Sequence, residues 1–60
     1  MLVEIIPKKQ RAKNRIKEHG KAMRLLQIAP FNGVPAILVQ SLDFEWSGWF
    51  TQDEASYLTI

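Results

Sequence analysis

Apolar residues are spaced along this chain with two different periods, and the change falls near residue 20. Met1–Ile6 is a short apolar segment, Met-Leu-Val-Glu-Ile-Ile, whose β-branched content suits a strand. Pro7 ends that segment and fits the first turn of a helix. Lys8–His19 is rich in Lys, Gln, Arg, Ala and Glu, all good helix formers. Within it Ala12, Ile16 and His19 share one narrow helical face. Gly20 stands just past the end, with Lys17 and His19 in the last turn, where positive charge suits the helix dipole. The apolar stripe is thin. Lys13–Lys17 and Arg11–Arg15 are like-charge pairs one turn apart, each costing roughly a few tenths of a kcal/mol. A helix of this length is marginal alone in water. The pattern therefore predicts a basic helix that frays until it docks or meets an anion.

From Lys21 onward the pattern becomes that of strands. Ala22–Ala29 and Pro35–Leu42 flank Asn32-Gly33, a strong hairpin signal, because a type I′ turn needs positive φ at both central residues. Taking those two as the loop sets Ile28 opposite Ile37 and Leu26 opposite Val39, a uniformly apolar face expected to point into the core. On the other face Gln27 meets Leu38 and Leu25 meets Gln40. Pro30 falls opposite Pro35 at a pair that needs no N–H from either ring. A polar turn follows around Asp43–Glu45, then an aromatic strand, Trp46–Thr51. Gly48 within it signals a bulge, a bend or close approach by another group. Thr51-Gln-Asp-Glu54 has capping-box spacing, which predicts a helical turn before a last strand at Tyr57–Ile60.

This order of elements over the last two-thirds of the chain resembles a small SH3-like barrel or a barrel-like meander. The fold class expected is α+β, mainly β: a small antiparallel sheet or SH3-like barrel with one N-terminal basic helix. A chain of 60 residues makes a single domain, 1–60, with the helix in segment 1–20 and the antiparallel β unit in 21–60.

Composition narrows the function. A domain this small buries only about 60% of its unfolded surface, which argues against the deep pocket a substrate usually needs. There is no Cys, so neither a disulfide scaffold nor a thiolate metal site can form. No apolar run approaches the roughly 20 residues of a membrane helix, and Met1–Ile6 is too short for a signal peptide and precedes its basic block. A soluble, cytoplasmic protein is expected, with no membrane partner. Small size and lack of cysteine fit a bacterial or phage-encoded protein.

Charge is the strongest clue. All eight basic residues lie between Lys8 and Arg24, and with Glu4 and Glu18 they give residues 1–24 a balance of +6. Residues 25–60 hold Asp43, Glu45, Asp53 and Glu54 and no base, a balance of −4 that leaves the whole chain at +2. Such polarity speaks about partners rather than fold. The basic arm could be drawn to a polyanion, or the acidic half could attract it within the molecule.

Catalytic chemistry is hard to assemble. His19 is the single histidine, and no nucleophile, phosphate-binding glycine loop or zinc signature accompanies it. Asp43 and Glu45 could hold a cation weakly, although turn solvation explains them as well. A non-enzyme with no cofactor, no metal and no small-molecule substrate is expected. The candidate binding residues are Lys8, Lys9, Arg11, Lys13, Arg15, Lys17, Lys21 and Arg24, whose neutralisation of phosphates would release counterions. Trp49 joins them, because an exposed indole stacks on a base or anchors a partner. Two readings follow: a small module binding nucleic acid (RNA or DNA) or associated with nucleoprotein, its helix on phosphates; or a protein-interaction module, such as a small inhibitor or subunit, docking on an acidic protein surface by its helix or sheet.

Overall fold

Leu2–Pro7 forms strand β1, with Val3 and Ile5 buried while Leu2 and Ile6 are exposed, as alternation along a strand requires. The computed structural model describes all 60 residues. After β1 come helix α1 (Gln10–His19) and strands β2 (Ala22–Phe31), β3 (Val34–Ser41), β4 (Ser47–Thr51) and β5 (Ala55–Thr59). The strands make one five-stranded antiparallel sheet in the order β4-β3-β2-β1-β5, which is compatible with an SH3-like fold. Mainly-β architecture with one helix is as expected. No helix is long and apolar enough to cross a membrane.

The helix starts two residues later than its pattern suggests. Lys8 and Lys9 donate their backbone N–H groups to the carbonyl of Glu54 at 2.8 and 3.1 Å, so the entry to α1 is tied to the loop before β5. At the other end Gly20 takes φ 90° and donates its N–H to Ile16 O at 2.7 Å, closing the helix. The thin stripe is the docking face. Ala12 is fully buried, and Ile16 packs against a core of Val3, Ile5, Met23, Ile37, Val39, Phe50 and Ala55.

The β2–β3 hairpin turns at Asn32-Gly33, with φ 53° and 79° at the two residues. Ile28 pairs with Ile37, Gln27 with Leu38 and Pro30 with Pro35, as the turn position dictates. Beyond that the expected register fails. A bulge between Leu25 and Gln27 sets Leu25 opposite Val39 and Arg24 opposite Gln40, so Leu26 does not face Val39. A one-residue irregularity switches which side chains share a face. Only half of the apolar face expected in the core is there: Ile37 and Val39 are buried, whereas Leu26 and Ile28 are 51% and 64% exposed. The bulge takes Leu26 out of the ladder, and Ile28 stays uncovered although its cross-strand partner Ile37 is buried.

Between β4 and β5 the capping-box spacing makes a turn and no α-helix. The Thr51 N–H donates to Glu54 Oε1 at 3.1 Å, as in a capping box, but the Thr51 hydroxyl turns to Asp53 at 2.6 Å. The chain re-enters the sheet at once, with β5 starting at Ala55, two residues before the expected Tyr57.

Candidate functional site

The basic residues do not form a free arm. Arg11 and Arg15 border the buried Ala12–Ile16 stripe, so their guanidinium groups are carried inward over the sheet. Arg11 Nη1 donates to Glu54 Oε2 and to the Trp49 carbonyl, both at 3.0 Å, and its guanidinium carbon lies 5.4 Å from the Phe50 ring centroid. Arg15 bonds Glu18 at 2.9 Å and sits 5.8 Å from the Trp46 ring. Arg24, on β2, lies 4.1 Å over Phe44 and donates to the carbonyls of Ser41 and Leu42 at 3.3 Å. Cation–π contacts near the surface are worth about 0.5–1 kcal/mol each, and exposed ion pairs about 0–1 kcal/mol. Individually small, these contacts all draw the three arginines toward the fold.

The lysines divide. Lys8 Nζ donates to the Gln52 carbonyl at 3.1 Å, Lys9 stands 3.8 Å from Asp53, and Lys21 stands 3.9 Å from Glu4. Lys13 and Lys17, one turn apart on the exposed side of α1, have no carboxylate within 4.0 Å. Of the eight bases, Lys9 and Arg11 pair with carboxylates of the acidic half, whereas Arg15 and Lys21 pair with Glu18 and Glu4 of their own half.

The carboxylates respond to these neighbours. The Thr51 hydroxyl, the residue's own backbone N–H and then Lys9 and Lys8 hold Asp53 below the ordinary carboxylate range. Partial burial pushes Glu54 up, but the Thr51 N–H, the Arg11 guanidinium and the Thr51 hydroxyl outweigh it and leave the group lowered. Asp43 is lowered by the Ser41 hydroxyl, then by the Glu45 N–H and by His19.

The two tryptophans occupy opposite sides of the sheet. Trp46 is on the core side, its ring stacked on His19 (6.0 Å, 13°) and tilted against Phe50 at 5.5 Å. Trp49 alternates to the outer side, opposite Leu38 and 5.7 Å from Phe31. Arg11 covers Phe50 on the inner side, so Trp49 and the basic helix do not share one binding face. Gly48 is the point of close approach, and the group that approaches is the indole of Trp46.

Two features escaped the sequence. An open groove of about 420 Å³ lies between β5 and the β2–β3 hairpin, lined by Ile28, Pro35, Ile37 and Tyr57 with Lys8 and Ser56 at its polar side. β5 pairs only with β1, so its other edge is free. The second is the meeting of His19 with Asp43 and Glu45, whose ligand-type atoms lie within 4.8 Å of one another. The sequence carried no signal of the groove, because Ile28 reads there as a core residue, and nothing in the spacing of His19 announced its neighbours. Compared with known protein families, curated proteins and solved structures, the chain matches none.

Proposed function

We propose that this protein is a non-enzymatic protein-interaction module that receives an extended segment of a partner protein along β5. The observation that carries this reading is the apolar groove beside the free edge of β5. An edge strand offers unpaired N–H and C=O groups to an incoming strand, and a neighbouring pocket takes one of its side chains. Ile28, 64% exposed on the groove wall, is apolar surface that the fold leaves uncovered. Lys8 on the polar side favours a segment with an acidic residue next to its apolar one. Arg11, Arg15 and Arg24, occupied with rings, carbonyls and carboxylates, are poorly placed to grip phosphates.

Nucleic-acid binding is the second reading, supported by Lys13 and Lys17, which point outward without acidic partners. One experiment separates the two. Proteins captured by the purified chain are compared with and without nuclease, and with Ile28→Glu and the Lys13→Ala/Lys17→Ala pair. Docking on β5 requires a defined protein retained after nuclease, lost with Ile28→Glu, and slowing amide exchange in Ala55–Thr59 when bound. Capture abolished by nuclease and by loss of the two lysines would replace this reading with nucleic-acid binding. In that case log K against log salt should flatten by about two contacts' worth in the double variant.

A further inference from the structure

The C-terminal end of α1 and the turn between β3 and β4 bring together three side chains that the docking groove does not use. His19 has a largely buried side chain, 12% exposed, its ring stacked on Trp46. Its Nδ1 is fully buried and has no hydrogen-bond partner. Such an orphaned nitrogen is rare in folded proteins. Asp43 Oδ2 stands 3.5 Å from it. Asp43 Oδ1 is engaged separately, accepting from the Ser41 hydroxyl and, at 2.9 Å, from the Glu45 N–H. That leaves Oδ2 facing the imidazole. The exposed Glu45 brings a second carboxylate, and one ligand atom from each of the three residues falls within 4.8 Å of the others.

We propose that His19, Asp43 and Glu45 form a binding site for a divalent transition cation of the Zn²⁺ type, linking the end of α1 to the β3–β4 turn. A separation of 3.5 Å is too long for a good hydrogen bond. It is close to the edge of a tetrahedral site, about 3.4 Å for metal–ligand lengths near 2.1 Å. Glu45 is free to close the remaining distance, since its side chain is exposed and holds no ion pair. The proton arrangement also suits the ion. His19 Nε2 faces Glu18 Oε2 at 3.8 Å, a carboxylate that favours the tautomer with its N–H on that side, and this tautomer leaves the Nδ1 lone pair for a cation. One imidazole and two carboxylates, with no thiolate, select a borderline cation over Ca²⁺ or Mg²⁺, which favour oxygen alone. With three protein ligands the ion keeps an open position for water.

The test is calorimetric titration of the full chain with Zn²⁺, alongside nitrogen NMR of His19 and thermal unfolding. The expected result is a single ion per chain, a metal-induced shift at His19 Nδ1, and a higher unfolding temperature with Zn²⁺ present. Asp43→Asn and Glu45→Gln should each weaken binding about tenfold or more, the scale on which altering a metal site acts. Glu45→Gln should also reduce the thermal shift at a fixed Zn²⁺ concentration. Should Asp43→Asn unfold by circular dichroism, Glu45→Gln decides alone, because the exposed Glu45 side chain makes no hydrogen bond or ion pair. Three outcomes would overturn the site: no saturable binding at millimolar Zn²⁺, a shift confined to Nε2, or affinity unchanged in Glu45→Gln. The last would mean an adventitious ion only, held by His19 alone or elsewhere.

Discussion

The indole of Trp46 lies over Gly48, so close that a Cβ at residue 48 would stand 2.7 Å from Trp46 Cζ2. Gly48 pairs with the fully buried Val39, which fixes the strand from its other side. Trp46 in turn carries the stack on His19 and the contact with Phe50. Gly48→Ala should therefore displace the indole and cost about 1–3 kcal/mol, the usual range for overpacking. Urea unfolding measures the loss, and near-ultraviolet circular dichroism should change as Trp46 leaves its stack. The neighbouring exposed Ser47→Ala serves as control. Wild-type stability in Gly48→Ala would mean that Trp46 does not sit over the glycine.

Gly33 tests a different physical cause. Its φ of 79° is left-handed, yet a Cβ there would meet nothing within 4 Å, so only backbone strain opposes substitution. Gly33→Val should cost roughly 1–2 kcal/mol, enough to unfold much of a marginal domain. Gly33→Asn should cost clearly less, because Asn visits that region more readily. Chemical denaturation of the two variants gives the comparison; equal losses would shift the cause from conformation to contacts.

Docking of the basic helix can be read from two adjacent positions. Ala12 is fully buried, whereas Lys13 is exposed. Ala12→Leu should overpack the junction with β1 and cost about 1–3 kcal/mol. Lys13→Ala should stay within about 0.5 kcal/mol of wild type. Thermal melts of both, with amide exchange along α1, provide the measurement. A neutral Ala12→Leu would show a helix that hangs free of the sheet.

Acid should destabilise the protein through the carboxylates of the β3–β4 and β4–β5 turns. Asp43, Asp53 and Glu54 all have lowered pKa values in the fold. Each therefore contributes stability that is complete above the unfolded-state values, about 4, and is lost as pH falls through the lower folded values. Urea midpoints should hold steady from neutral pH down to about pH 5 and then decline. Glu54→Gln should be less stable at neutral pH and show a shallower decline, since it removes one of the three groups and the ion pair to Arg11. A variant with the wild-type pH profile would remove Glu54 from this account.

Local chemistry by itself determined a good deal. The positive-φ demand of Asn32-Gly33 placed the hairpin turn and the register next to it. The Ala12–Ile16–His19 stripe identified the docking face of the helix, and Gly48 within the aromatic segment marked a point of close approach. Each is set by residues within a few positions of one another, where backbone preference and side-chain period act directly. Tertiary structure decided the rest. The bulge beside Leu26 leaves Met23 buried and Leu25 packed against the core while Leu26 is exposed, an irregularity that a pairwise register cannot anticipate. Whether Arg11, Arg15 and Arg24 reach outward to phosphates or inward to Phe50, Trp46 and Phe44 depends on which rings the sheet presents beneath them. The groove beside β5 exists only once the chain's last strand lies against its first. His19 meets Asp43 and Glu45 because the end of α1 packs over the β3–β4 turn, and the 23 residues between His19 and Asp43 carry no local preference that could encode so close an approach.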